Sequence, residues 1–282
     1  QQAHNTDVNP KQLSKSDPLY NAWCKFREDI INSWVEEVYH LVKETKPDLW
    51  ISCACYPDLD SAPKTIFQNV RVWLENGWID EVFSMSYSAD TAFVAENAQK
   101  FAQTVGDKAF YSTGIMAFGT TTPVDFANQL DAVRDCFANG SAVFSLGSIT
   151  EDNYYDCMKY GPYSIKAVQT YKLNKTVSAG LTEILAKIEH VYGGETGGLN
   201  AKIKPLIEKL KSDADLFNLS SATVQQKIDY AEKTAKELNN IISEIKKDAA
   251  VSEQVKNALT GDFKRLADYM LQSQNRLKNR LK

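Results

Sequence analysis

From Asn21 to about Tyr163 the chain alternates between two hydrophobic periods, and this alternation restricts its fold more than any other feature. Four short apolar runs, DLWISCACY, IDEVFSMSY, KAFYSTGIMAF and SAVFSLGSI, have the length and content of buried strands. Between them lie stretches whose apolar residues recur at helical spacing. Strand and helix repeating about every 30 residues imply parallel strands joined by right-handed crossovers. A closed barrel of this kind has eight strands and takes roughly 250 residues. The expected fold class is therefore α/β: a partial (β/α) TIM-type barrel with four parallel strands, over residues 1–170.

The helices carry their own punctuation. Residues 21–45 place Trp23, Phe26, Ile30, Trp34, Val38 and Leu41 on one helical stripe, and Pro47 closes the element. IFQNVRVWLENGW reads as a helix ended by Gly77, TAFVAENAQKFAQTVG as the next, and PVDFANQLDAVRDCFANG as a third with Pro123 near its start. A last short helix is expected around Tyr154 to Lys159.

After about Tyr171 the strands stop and Lys, Glu, Ala, Leu and Ile dominate at helical spacing, which predicts an all-α bundle over residues 171–282. Its four stripes run through Leu181 and Ile188, Ile203 and Leu210, Ile228 and Ile241, and Leu259 and Met270. Pro205 shifts or bends the second helix. The bundle shows no buried-looking histidine or carboxylate pair, and scaffolding or interaction is its expected role.

Net charge of −4 and a pI near 5.5 argue against a nucleic-acid partner, which demands clustered Lys and Arg. The basic end NRLKNRLK reads as a solvated helix end. Five cysteines lack zinc-type spacing, so Cys53 and Cys55 read as buried thiols on one strand face. His4, His40 and His190 are too scattered for a dyad or a metal triad, and no metal or other cofactor is expected. Neither a signal peptide nor an apolar span of about 20 residues is present, so no membrane span is expected. Hydrolase-elbow, phosphate-loop and dinucleotide motifs are absent as well.

In parallel (β/α) sheets ligands gather at the carboxyl ends of the strands. That rule selects Tyr56, Asp58 and Asp60 after the first strand, and Ser86, Tyr87 and Asp90 after the second. It adds Met116 and Phe118 after the third, then Ser148, Glu151 and Asp152 after the fourth. A rim of aromatic and acidic groups suits sugars, whose rings offer C–H faces to aromatics and hydroxyls to carboxylates. Glycosidic cleavage asks for two carboxyl groups flanking the bond. Plainer readings stand beside this one: Asp58 and Asp60 as turn residues, Tyr87 as core, Asp90 as a helix cap, Glu151 and Asp152 as first-turn acids.

NAWCKFREDIINSWVEEVYHLVKETKP, ISCACYPD, FQNVRVWLENGWIDEVFSMSY, VFSLGSI and GPY, in that order over roughly residues 20–165, resemble the carboxyl half of the bacterial glycosyl hydrolase-like 10 family. The most specific parts are Trp23 with Arg27, Tyr56 to Asp58, Gln68 ahead of Trp73, Gly77 to Asp80, and Met85 with Tyr87. The resemblance implies a (β/α) barrel acting on polysaccharide or cell-wall glycan, with Tyr56, Asp58, Met85 and Tyr87 lining the cleft. Ser84 and Ser86 stand where relatives commonly carry Pro and Asn, a departure in the groups that would meet sugar. The acidic strand ends of the family's first barrel half have no counterpart in this chain.

The expected function is thus that of part of a secreted or surface-attached glycoside hydrolase-like protein, its leader outside this chain. Asp58 is the candidate acid or nucleophile, Asp90 its partner, and Tyr56, Tyr87 and Phe118 are the sugar platforms. The alternative is a non-catalytic glycan-binding or structural surface module. Open sheet edges would be satisfied by a homodimer or by covering helices.

Overall fold

The computed structural model describes residues 8–119, 121–136, 138–151, 154–161, 163, 167–192, 196–279 and 281. They fall into two compact units, Gln1–Ser164 and Ile165–Lys282.

In the first unit, α1 (Tyr20–Thr45) precedes β1 (Ser52–Cys55), short α2 (Ala62–Thr65) and α3 (Val70–Glu75). Then come β2 (Glu81–Met85), α4 (Thr91–Val105), β3 (Phe110–Met116), α5 (Pro123–Asp135), β4 (Gly140–Phe144), α6 (Leu146–Glu151) and α7 (Tyr154–Tyr160). The four strands form one sheet in the order β1-β2-β3-β4, and all three pairings are parallel. The expected partial (β/α) architecture is what the chain adopts.

Register decides which residues share a face. Cys55 lies beside Ser84 and Ser84 beside Thr113, while Met85 lies beside Gly114 and Gly114 beside Ala142. Alternation sends the first set toward the crossover helices. There Val82, Tyr111 and Ile115 join Trp73 and Leu74 of α3, Phe101 of α4, and Phe126 and Leu130 of α5 in one buried core. The second set lines the opposite face, which ends in Phe144, 56% exposed.

Three local expectations change. The helix expected from Ile66 begins at Val70, because Phe67 takes a positive φ of 62° and Asn69 caps the helix by accepting from Val72 N. Gly77, with φ of 69°, ends it as expected. The fourth strand stops at Phe144, and Ser148 lies in α6 rather than at a strand tip.

In α1, most of the apolar stripe points outward: Trp34 is 63% and Leu41 66% exposed, Phe26 and Ile30 are exposed too, and Trp23 and Val38 are half-buried. Asn32 and Val35 are buried instead. Polar fastenings on that other face select it. Asn32 Oδ1 accepts from Trp73 Nε1 at 2.7 Å, and Glu28 Oε1 accepts from Asn69 Nδ2 at 2.8 Å. Lys43 Nζ reaches Asp80 Oδ2 at 2.9 Å, and the same oxygen accepts from Ile51 N at 3.0 Å. Gly77 to Asp80, read as a family motif, thus anchors the entry of β1.

At the outer edge of β1, Gln68 takes the place of a strand. Ile51 O accepts from Glu81 N and so faces β2; by alternation Ala54 O and Tyr56 N face the free edge. Gln68 Nε2 donates to Ala54 O at 3.1 Å, and its Oε1 accepts from Tyr56 N at 2.7 Å. One side-chain amide imitates a residue of a parallel neighbour, and blunts this end of the edge.

The second unit contains α8 (Leu173–His190), α9 (Gly197–Leu216), α10 (Val224–Lys247) and α11 (Glu253–Asn279). Thr223 starts α10 with a capping box shared with Gln226. Leu181, Ile203, Leu238, Leu259 and Phe263 are fully buried, and Pro205 sits inside α9. Asp262 is buried and pairs with Lys187 at 3.2 Å and Arg265 at 2.5 Å. Residues 193–195 lie outside the described residues.

Candidate functional site

The carboxyl ends of β2, β3 and β4 bring three aromatic rings together. Tyr87 and Phe144 stack with centroids 5.7 Å apart, Phe118 meets Tyr87 edge-on at 6.1 Å, and Phe118 meets Phe144 edge-on at 6.3 Å. In β3, Gly114 makes room for this cluster. A Cβ there would collide with the Ser84 carbonyl oxygen and touch Tyr87 Cε1 at 3.4 Å. Tyr87 keeps 37% exposure, and partial burial raises its phenol above the ordinary value, so it acts as a neutral hydroxyl. Met85 lies on the same sheet face, half-buried beside Gly114.

Sequence reasoning placed Tyr87 and Phe118 at this mouth and missed Phe144, because the fourth strand was read as running on to Ile149. The detectable signal was alternation: Phe144 pairs in register with Met116, itself two residues short of Phe118. Ser148 lies in α6, while Asp152 and the Glu151 side chain lie outside the described residues.

Tyr56 follows β1 and is exposed, its backbone held by Gln68. Asp58 Oδ1 accepts from the backbone N–H groups of Asp60 at 3.0 Å and Ser61 at 3.2 Å. The Ser61 hydroxyl is the largest influence lowering its pKa, followed by those backbone donors. A carboxyl held ionised in this way suits a base or nucleophile and not a proton donor. Asp60 pairs with Arg71 at 2.7 Å on the surface. Asp90 caps α4, its Oδ1 accepting from Ala92 N at 2.9 Å and Phe93 N at 3.4 Å. Both carboxylates thus have a structural partner in the backbone that follows them.

Ser84 and Ser86 face away from the mouth. Asn97 Oδ1 accepts from Ser86 Oγ at 2.7 Å, so Ser86 must in turn accept from Ser84 Oγ at 2.8 Å. Ser84 then accepts from Tyr111 Oη at 2.8 Å, and Tyr111 accepts from Thr113 Oγ1 at 2.8 Å. One acceptor at the end orients the whole buried chain. Burial pushes the Tyr111 phenol up to about 12, which keeps it a donor.

Behind this, the Cys53 and Cys55 sulfurs stand 3.4 Å apart as free thiols. The Cys53 contact and burial both push the Cys55 thiol well up, the state of an unreactive packing group. His40 and His190 are exposed on helices, and His4 lies outside the described residues. Among the described residues no helix is long and apolar enough to cross a membrane.

Residues 3–132 match the model of the family described as glycosyl hydrolase-like 10. The match begins ahead of the expected start near residue 20 and ends within α5, before β4. No curated protein and no solved structure matches the chain. The matched segment builds β1 to β3 and the loops bearing Tyr56, Asp58, Tyr87 and Phe118, and over that segment, a little under half of the chain, the protein is similar to the glycosyl hydrolase-like 10 family.

Proposed function

We propose that the strand ends of the first unit bind a polysaccharide or cell-wall glycan within a glycoside hydrolase-like protein that works outside the cell or at its surface. The observation that carries this reading is the cluster of Tyr87, Phe118 and Phe144 at the carboxyl ends of three neighbouring parallel strands. Rings with exposed faces take the C–H face of a pyranose, and hydroxyl and carboxylate groups nearby take its hydroxyls. Tyr56, Met85 and Asp58 extend the lining toward β1. For glycosidic hydrolysis, Asp58 supplies the ionised carboxylate as nucleophile or base, and Asp90, one strand along, is the in-chain partner.

Binding is tested by calorimetry with cellohexaose, xylohexaose and chitohexaose against the protein and its Tyr87→Ala variant. Saturable binding lost in the variant supports the reading; equal affinity in both removes it. Hydrolysis is tested by release of reducing ends, with Asp58→Asn expected to lower turnover by orders of magnitude.

A non-catalytic glycan-binding module is the second reading, favoured by the occupation of Asp58 and Asp90 as backbone caps. Binding without any release of reducing ends by the intact protein would select it.

A further inference from the structure

We infer that Asn97 and Gln129 are positioning residues for the loops of this mouth, an inference that rests on the glycan-binding reading and deepens it. Both are amides on crossover helices, and each reaches a backbone carbonyl in the strand-end loop of the neighbouring unit one step earlier in the chain: α4 reaches the loop after β1, and α5 the loop after β2. Asn97 of α4 is 7% exposed, and its Nδ2 donates to Pro57 O at 2.5 Å, between Tyr56 and Asp58. Gln129 of α5 is fully buried, and its Nε2 donates to Ser88 O at 2.9 Å, between Tyr87 and Asp90. The spans are nearly equal, 40 and 41 residues, so the device repeats once per (β/α) unit.

The chemistry of each amide separates this role from ordinary core filling. Asn97 uses its oxygen to terminate the serine chain and its nitrogen to hold the loop, so the loop bearing Tyr56 and Asp58 is coupled to the strand end bearing Tyr87. Among the described residues, Gln129 Oε1 has no hydrogen-bond partner although it is buried. A buried acceptor left unmatched is unfavourable, and a hydrophobic residue of similar volume would avoid it. The nitrogen, and through it the Ser88 carbonyl, is what the amide serves. Binding groups carried on loops gain affinity when such supports fix them before the ligand arrives.

Two substitutions isolate the tie. Asn97→Asp keeps the acceptor for Ser86 and removes the donor to Pro57; Gln129→Met keeps the volume and removes the donor to Ser88. Ser86→Ala serves as the control that leaves the Pro57 tie in place. Amide hydrogen exchange is followed in the ligand-free protein, and affinity is followed with whichever of the three hexaoses binds. Asn97→Asp is expected to accelerate exchange at Asp60, Ser61 and Ala62, and Gln129→Met at Asp90, while Ile115 of β3 keeps its rate. Each is expected to weaken binding about tenfold, the scale of one lost hydrogen bond to a preorganised site. Unchanged loop exchange, acceleration spread equally over β3, or faster loops with unchanged affinity would each overturn the inference. Should Asn97→Asp fail to fold, Gln129→Met decides alone. Should the wild-type protein bind none of the sugars, the functional reading falls, and the exchange measurements still judge the positioning role.

Discussion

The ring of Phe144 stacks on that of Tyr87 at 5.7 Å, with 27° between their planes, although 57 residues of chain separate them. Phe144→Ala should remove one wall of the cluster and loosen the Tyr87 ring. Affinity for a bound hexaose is expected to fall by about 1 kcal/mol, in the range of a single aromatic contact. Calorimetric titration of variant and parent checks this, and an unchanged affinity would place the ligand elsewhere.

Gly114 lies under the same cluster, where a Cβ would meet the Ser84 carbonyl and the Tyr87 ring. Gly114→Ala should therefore force β2 and β3 apart and cost about 1–3 kcal/mol, the range for overpacking. Chemical denaturation measures the loss. A variant as stable as the parent would mean that the strands shift without penalty.

Asp58 titrates below the ordinary aspartate value because the Ser61 hydroxyl and the Asp60 and Ser61 amides favour its ionised form. A depressed carboxyl stabilises its fold above the unfolded-state pKa, and this contribution is lost as pH falls through the folded-state value. The loop should keep its geometry through mildly acidic conditions and release only below the usual aspartate range. A side-chain carboxyl NMR titration with a midpoint at or above the usual range would contradict the bonding described here.

Lys43 and Asp80 form a mostly buried pair that also holds Ile51 N at the entry to β1. Asp80→Ala takes the charged partner from the Lys43 ammonium, leaving it the Leu49 carbonyl, and strands the Ile51 N–H, and is expected to cost about 3–5 kcal/mol. Thermal or urea unfolding would register this as a large shift in midpoint.

Trp34 predicts the opposite. With 63% of its surface exposed, it contributes little packing within the fold. Trp34→Gln should alter stability by no more than about 0.5 kcal/mol. A large loss on unfolding would show that the outer stripe of α1 is covered.

Element identity was legible to within a few residues where hydrophobic period and caps agreed. Asp90 opening α4, Pro123 opening α5 and Gly77 closing α3 all act as their chemistry predicts. The parallel sheet followed from the spacing of the runs, since crossovers of that length return each strand in the same direction. The buried side of α1 was not legible. Its most apolar stripe lost to a face bearing Asn32, Glu28 and Lys43, because their partners Trp73, Asn69 and Asp80 come from 37 to 41 residues away.

The candidate site divides in the same way. Tyr56, Tyr87 and Phe118 follow from one local rule, that polar and aromatic groups just past a parallel strand stand at its carboxyl end. Phe144, Asn97 and Gln129 do not, since each matters only through a partner on another strand or loop. Periodicity and turn chemistry act over a few neighbouring residues, and they wrote the order of strands and helices into the chain. Which ring meets which, and which amide holds which carbonyl, arose from strand register and helix docking, because both couple residues that the local pattern never compares.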